Sequence, residues 1–145
     1  MKVQTKYFGE QEIDATDILS LPFGLPGFEE ERQFFLQPFG EVFSLLQSVV
    51  TSQLVFVVVS PYLFFKNYTI DLPDAFTRQL AIEKPEDVTV LVIVSVQSPF
   101  SKSTVNLKAP LIINNRNRLV KQYIADHSVY SLREPLTSGL LAKKV

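Results

Sequence analysis

The segment Val88–Val96 constrains the fold more than any other part of the chain. Valine occupies every second position of this segment. Successive side chains of an extended strand point to opposite faces, so the period of two predicts a β-strand with one face uniformly in the core. The other face is apolar only in its middle, at Leu91 and Ile93, which predicts partial cover by a loop, a helix or a partner. We therefore expect a central strand.

Other segments with β composition are short and most are closed by Gly, Pro or Asn. They are Val3–Phe8, Gln11–Asp14, Ile18–Leu21, Gln33–Leu36, Phe43–Gln47, Leu54–Ser60, Thr104–Lys108, Leu111–Asn114 and Val120–Ala125. Turn residues separate them at Phe8-Gly9-Glu10 and Pro38-Phe39-Gly40. This spacing predicts a mostly β, antiparallel, barrel-like fold in one domain spanning residues 1–145.

One or two short helices are expected beside the strands. A helix is predicted to begin near Pro73, with Asp74 as its N-cap, and to end before Pro85. Phe76 and Leu80 lie four residues apart and would share its buried face. Residues 136–145 are expected to form either a frayed helix or a mobile tail, of which 137–145 is the tail proper.

Composition excludes several function classes. With no Cys and one His among 145 residues, disulfides, thiolate zinc sites and cysteine nucleophiles are excluded, and a metal site is disfavoured. A net charge of −1 and a pI of about 5.8 disfavour direct nucleic-acid binding. No signal peptide or run of roughly 18 apolar residues is present in the sequence. We expect a cytoplasmic protein that does not bind membranes and holds no cofactor.

Catalytic constellations are equally scarce. Asp126, His127 and Ser128 are adjacent in sequence, whereas a working triad converges from residues that are usually distant. The carboxylates occur in runs that predict solvated charge, so the sequence predicts no enzyme.

Gly24-Leu25-Pro26-Gly27 precedes three glutamates, which disfavours phosphate binding. Pro26-Gly27 instead predicts the centre of a type II turn, flanked by Phe23 and Phe28 as anchors.

Residues 104–114 carry a further signal. Val105 and Leu107 alternate with Asn106 and Lys108, but Pro110 has no N–H to donate to a ladder. We expect an edge or a bulge here. A free edge could accept an extended segment of a partner, and closure into a barrel is the alternative.

Three segments together resemble the bacterial FliW family of flagellar assembly factors. They are Leu21-Pro22-Phe23-Gly24-Leu25-Pro26-Gly27-Phe28-Glu29, Leu45-Leu46-Gln47-Ser48 and residues 104–114. Agreement extends to Thr5-Lys6-Tyr7-Phe8-Gly9, to Val90–Val96, and to Arg118, Gln122, Tyr130 and Arg133-Glu134-Pro135-Leu136, so it covers residues 2–136. The resemblance implies a compact antiparallel β fold and no enzymatic activity.

The resemblance also implies two mutually exclusive partners. One is newly made flagellin, and the other is CsrA, an RNA-binding regulator that represses translation of the flagellin message. Free protein would bind CsrA and relieve repression, without competing with RNA for its site. Acidic residues offer a physical reason why RNA could be displaced without competition for its site, because they would repel a nearby phosphate backbone. These are Glu29, Glu30, Glu31, Asp71, Asp74, Glu83, Glu86 and Asp87.

The residues of these motifs divide into two groups. Gly24, Pro26, Gly27, Pro110, Val105 and Leu107 are expected to be architectural. The candidate partner contacts are Phe28, Glu29, Gln47, Ser48, Asn106, Lys108, Asn114 and Gln122. For Phe28 the alternative role is in the core, and for the polar residues it is to satisfy buried backbone groups.

Two other functions stay open at this stage. A β-barrel of this size could hold a small ligand, as a carrier or an enzyme. An RNA-binding β module would need exposed aromatics on a basic surface, which the charge balance opposes.

Overall fold

The computed structural model describes residues 1–125 and 129–136. The strands are β1 (Lys2–Thr5), β2 (Gly9–Glu12), β3 (Leu19–Ser20), β4 (Gln33–Phe39), β5 (Phe43–Ser48), β6 (Val55–Val59), β7 (Val88–Ser95), β8 (Thr104–Val105), β9 (Leu111–Asn114), β10 (Val120–Gln122) and β11 (Glu134–Pro135). One helix is present among these residues, α1 (Asp74–Gln79), with short 3-10 turns at Ala15–Asp17, Pro61–Leu63, Pro85–Asp87 and Phe100–Lys102. The fold is mostly β, as predicted.

Nine strands form one antiparallel sheet, and β1 and β2 form a separate hairpin. The order in the larger sheet is β10-β9-β7-β6-β5-β4-β3, with β8 paired to β7 and β11 paired to β8. The predicted barrel is not confirmed, because no ladder closes this sheet within the described residues. An isolated parallel bridge joins Ser20 of β3 to Leu119, which immediately precedes β10. The two ends of the sheet therefore approach each other at one point without a continuous ladder.

The central position predicted for Val88–Val96 is confirmed. On one side, β7 pairs with β6 through Val92–Val94. On its other side, it pairs with β9 through Val88–Leu91 and with β8 through Val94 and Ser95. The opposite face is partly covered, as expected, since Leu91 and Ile93 are half-buried. The cover comes mainly from a core cluster of other strands, formed around Phe34, Leu46 and Val58, and not from a separate helix or partner.

The prediction that all the valines of Val88–Val96 are buried is wrong at both ends of the segment. Val92 and Val94 are 0% and 5% exposed, but Val96 is 52% exposed and lies beyond the end of β7. Val88 and Val90 are half-buried. They pack against the cluster around Phe76 of α1, and a helix of six residues covers only part of this end of the strand.

Residues 104–114 do not form a free edge, so the prediction of an edge open to a partner is wrong. β8 lies between β7 and β11, and the chain then leaves the sheet from Asn106 to Pro110. The Asn106 Oδ1 accepts hydrogen bonds from the N–H groups of Lys108 (3.2 Å) and Ala109 (3.0 Å), which bends the backbone. The carbonyls of Lys108 and Pro110 accept bonds from Ala125 and Tyr123. The segment 106–110, which interrupts the strand pairing, is therefore covered by residues 123–125.

Two smaller predictions also need correction. Asp74 is the first helical residue and not the N-cap, which is Pro73 and offers no side-chain acceptor. The first strand ends at Thr5 and not at Phe8, because the Thr5 hydroxyl accepts from the Phe8 N–H (3.0 Å) and donates to the Gly9 carbonyl (2.7 Å), which forms the turn. The predicted burial of Phe76 and Leu80 is confirmed.

Candidate protein-binding surface

The predicted type II turn is confirmed. The Leu25 carbonyl accepts a hydrogen bond from the Phe28 N–H at 2.7 Å, and Gly27 has a φ of +85°. Gly24 also has a positive φ, and a Cβ there would lie 2.5 Å from the Cα of Glu29. Only glycine fits such a position. The architectural roles predicted for Gly24 and Gly27 follow from this geometry.

The turn places its two flanking aromatic rings on the surface and not in the core. Phe23 is 55% exposed and Phe28 is 41% exposed. Phe28 contacts Phe56 edge-on, with 5.5 Å between ring centroids. A fully buried core position for Phe28 is therefore wrong, although its ring rests on Phe56, which packs against the core. The tight turn holds the two rings outward.

A shallow hollow lies beside these rings, where the turn meets the end of β10. Its volume is about 260 Å³, and its lining includes Phe23, Pro26, Glu29, Lys121, Gln122 and Ile124. We call these six residues the Phe23 face. Two of the predicted partner contacts, Glu29 and Gln122, are brought together there. The Gln122 Nε2 also donates to the Ala109 carbonyl at 2.9 Å, so part of its role is to satisfy the backbone.

Lys121 belongs to this surface but carried no signal in the sequence. Its Nζ lies 4.4 Å from the centroid of the Phe23 ring and 5.4 Å from that of Phe76. It also donates to the Gln79 Oε1 at 2.5 Å. A cation over an aromatic face is attracted to the ring quadrupole, so these contacts hold Phe23 in place. Ile124, 52% exposed, was missed for the same reason, since nothing local in sequence relates β10 to the turn.

Gln47 and Ser48 do not reach the surface. Both are 0% exposed. The Gln47 Nε2 donates to the carbonyls of Ser48, Ser52 and Leu54, and its Oε1 accepts from the Lys6 N–H. The Ser48 Oγ accepts from two loop N–H groups and donates to the Glu31 carboxylate at 2.9 Å. Their side chains hold the β5–β6 loop and the β1–β2 hairpin in place.

Asn114 has the same kind of role, and Asn106 a similar one. Asn114 is 1% exposed, and its Nδ2 donates to the carbonyls of Leu80 and Ala81 at 2.8 and 3.2 Å. It thereby ties the end of α1 to β9. The Asn106 side chain stabilises the bend that follows β8 by accepting from the N–H groups of Lys108 and Ala109. For these four residues the geometry favours the alternative of satisfying backbone groups. Lys108 is half-buried beside Ala125.

The acidic residues divide into engaged and free carboxylates. The Glu29 carboxylate accepts from the Gly27 N–H at 3.2 Å, and the Glu31 carboxylate accepts from the hydroxyls of Ser48 and Thr51. Glu83 and Asp87 both lie within 4 Å of the Arg116 guanidinium. Glu30 and Glu86 are exposed and make no ion pair among the described residues.

A larger open groove was not predicted from the sequence. It has a volume of about 640 Å³ and lies between the loops around α1 and the half-buried end of β7. Its apolar walls are formed by Ile70, Leu72, Ile82, Val88, Val90 and Ile112. The sequence assigned Val88 and Val90 fully to the core, which hid the groove.

Ionisable groups with shifted pKa values serve structure. Burial raises the pKa of Tyr68, whose hydroxyl donates to the Leu107 carbonyl at 2.6 Å, and the neighbouring Tyr62 and Tyr130 add to the effect. Burial also raises the pKa of Tyr62. The Thr16 backbone N–H lowers the pKa of Asp14, which accepts its hydrogen bond. None of these groups lies at the Phe23 face.

No group of three His, Cys, Asp or Glu side chains suited to a metal ion occurs in residues 1–125 and 129–136. Asp126, His127 and Ser128 lie outside the described residues, as do residues 137–145. In the part of the chain that is described, no helix is long and apolar enough to cross a membrane.

Comparison with known proteins identifies the family. The sequence profile of the FliW protein family matches residues 2–136. The flagellar assembly factor FliW of Shouchella clausii is 42% identical over 142 residues, covering 96% of this chain and 97% of the relative. That of Bacillus subtilis is 42% identical over 138 residues, covering 94% and 96%. A crystal structure of the flagellar assembly factor FliW superposes with a TM-score of 0.90 at 43% identity, covering 94% of this chain and 96% of the other. The chain belongs to the FliW family of flagellar assembly factors.

Proposed function

We propose that this chain binds flagellin and, when free of flagellin, binds the translational regulator CsrA and antagonises its repression of flagellin synthesis. The two partners exclude one another, so the amount of unexported flagellin sets how much CsrA is active. The chain acts in the cytoplasm, is monomeric when free and carries out no reaction. This proposal is more specific than the role by which the relatives are named, which is flagellar assembly.

The Phe23 face is the observation that supports a protein-binding role most directly. Interfaces are enriched in aromatic side chains, and a few of these residues carry most of the binding energy. Phe23 and Phe28 are held outward by a glycine-dependent turn, and Lys121 orders the Phe23 ring. Ordering the contact residues before binding lowers the entropic cost of association. We assign this face to partner binding.

The effect on RNA is proposed to be electrostatic and to act from outside the RNA site of CsrA. Exposed carboxylates on the docked protein repel phosphates within roughly 10 Å at ordinary salt. Glu29 and Glu31 are engaged in internal hydrogen bonds, so replacing them would disturb the turn and the β5–β6 loop. Glu30 and Glu86 are the better probes.

We expect Glu30→Gln combined with Glu86→Gln to preserve CsrA binding and to weaken RNA displacement in a gel-shift titration. The matched control is Glu10→Gln combined with Glu41→Gln, which neutralises two exposed carboxylates in the β1–β2 hairpin and in the turn between β4 and β5. Because the effect is screened, the difference between variant and wild type should shrink as salt is raised. Unchanged RNA displacement by the double variant at low salt would contradict the electrostatic explanation.

Co-purification tests the function as a whole. The chain, tagged and expressed in a motile host, should recover flagellin or CsrA at near-equal stoichiometry, and never both in one complex. Recovery of a small molecule and neither protein would favour the alternative of a ligand carrier. The family assignment does not favour that alternative.

A further inference from the structure

Leu136, the last residue that the structure describes, is anchored in the core beside β8. It is 2% exposed and belongs to the core cluster that contains Val94 and Val105. Its N–H donates to the Ser103 carbonyl at 3.1 Å, and the two residues before it form β11, which pairs with β8. The chain therefore leaves the described part of the structure from a fixed point on the face of the sheet that carries Val94.

Exposed apolar side chains lie next to this point. Val96 and Phe100 are 52% and 46% exposed. The Phe100 carbonyl accepts from the Ser103 N–H at 2.8 Å, and the Ser103 Oγ accepts from the Gln97 N–H at 2.9 Å. Because the Ser103 carbonyl accepts from Leu136, these hydrogen bonds place both exposed side chains close to the point where the described chain stops.

Two half-buried side chains extend this apolar surface across the sheet. The Phe43 ring contacts the Phe100 ring edge-on, with 5.7 Å between centroids. Phe43 and Val57 both pack against the core cluster that contains Leu136. We call Phe43, Val57, Val96 and Phe100 the Phe100 patch. It shares no residue with the Phe23 face.

Residues 137–145 have the length and the side chains to cover this patch. They read Thr-Ser-Gly-Leu-Leu-Ala-Lys-Lys-Val. Leu140 is four residues after Leu136, which corresponds to about 6 Å in a helix and to at most about 14 Å in an extended chain. Either distance reaches the Phe100 patch, because the hydrogen bonds of Ser103 bring Leu136 next to Phe100.

Tethering favours this contact over binding of a second copy of the chain. A segment joined by a short linker is held near its site at an effective concentration of the order of millimolar. Burial of Leu140 and Leu141 against the patch removes apolar surface from water, and large exposed apolar patches are uncommon on monomeric proteins. A second copy in dilute solution has no such advantage.

We propose that residues 137–145 form a strap over the Phe100 patch while no partner is bound. Leu140 and Leu141 pack against the two rings of the patch. Because the strap covers apolar surface that would otherwise associate with a second copy, it keeps the free chain monomeric. The inference goes beyond the proposed function and holds whichever partner the chain binds.

Disulfide trapping tests where the strap lies, because the chain has no cysteine of its own. Val96→Cys with Leu141→Cys places one thiol in the patch and one in the strap. The control combines Leu141→Cys with Phe23→Cys, which is 55% exposed but lies against Lys121 of β10. That strand lies beyond β9, which pairs with the Val88 end of β7, whereas Val96 follows the other end.

Under mild oxidation we expect the test pair to close at least about tenfold faster than the control pair, as measured by the loss of free thiols. Mass spectrometry should find the disulfide within one chain. Equal rates for the two pairs would overturn the inference. Disulfides that link two chains would overturn it in favour of a second copy on the patch.

A second measurement removes any dependence on disulfide geometry. Leu140→Ser with Leu141→Ser should increase the fluorescence of an added hydrophobic dye and promote self-association in light scattering, because the patch is uncovered. The matched control is Lys143→Ser with Lys144→Ser, which changes as many residues of the strap and keeps both leucines. It should behave as wild type does. A leucine variant that is indistinguishable from this control would also overturn the inference.

Discussion

The interior around Gln47 and the Phe23 face use the residues of the family motifs in opposite ways. Gln47 is fully buried, and its amide forms hydrogen bonds with four backbone groups. Phe23, an aromatic ring, is 55% exposed. From polarity alone one would expect the polar side chain outside and the ring inside. The difference shows that a polar motif residue can satisfy loop backbone groups that have no partner strand, and that an apolar residue beside a glycine turn can be held at the surface for a partner.

Substitutions that deform the turn should have the largest effect, because the turn shapes both the fold and the Phe23 face. Gly24→Ala would place a Cβ 2.5 Å from the backbone of Glu29 at a positive φ, and we expect it to lower the free energy of unfolding by about 3 kcal/mol or more. Gly27→Ala is the control, since its φ is also positive but no atom lies within 4 Å of the added Cβ. It should cost about 1 kcal/mol. Urea denaturation measures both, and equal costs would show that steric contact is not the cause.

Gln47→Leu should have the next largest effect. The substitution leaves the Lys6 N–H and loop carbonyls without their partner, so we expect a loss of about 2–3 kcal/mol in the free energy of unfolding. Flagellin and CsrA affinities, measured on folded protein, should stay within about twofold of wild type. If Gln47→Leu had normal stability but no longer bound a partner, Gln47 would have to be assigned to partner binding and not to the support of the loops.

Phe23→Ala should show the reverse pattern. The ring is more than half exposed, so stability should fall by about 1 kcal/mol or less, whereas affinity for at least one partner should fall about tenfold. The control is Val42→Ala, which is 44% exposed, lies in the turn between β4 and β5, and does not line the hollow beside Phe23. Calorimetric titration measures both variants. Wild-type affinity of Phe23→Ala for both partners would remove the Phe23 face from the proposed function.

The smallest expected effect concerns pH. Because the pKa of Tyr68 is raised in the folded protein, its contribution to stability is complete below the unfolded pKa near 10 and is lost as pH rises through the folded value. The difference in the free energy of unfolding between wild type and Tyr68→Phe should therefore shrink above about pH 10, by at most about 1.4 kcal/mol per pH unit. A difference that stays constant to pH 11 in urea titrations would contradict the assignment.

Much of the fold follows from local pattern. The period of two at Val88–Val96 predicts β7 and its central place, and Pro26-Gly27 predicts the turn, because both signals depend on neighbouring residues. The open sheet could not be predicted in place of a barrel, since the single bridge between Ser20 and Leu119 depends on how distant segments meet and not on local pattern. The Phe23 face was found only in part, because Lys121 and Ile124 approach the turn through tertiary packing. The role of Gln47 was hidden too, since loop carbonyls leave no trace in the sequence.

Competition between the two partners tests the central claim most directly. Flagellin titrated into a preformed complex of this chain with CsrA should release CsrA in proportion to the flagellin bound, as followed by size-exclusion chromatography with light scattering. Repeating the titration with Phe23→Ala shows whether the Phe23 face is needed for the exchange. A stable ternary complex, or a CsrA complex that saturating flagellin leaves intact, would contradict mutually exclusive binding.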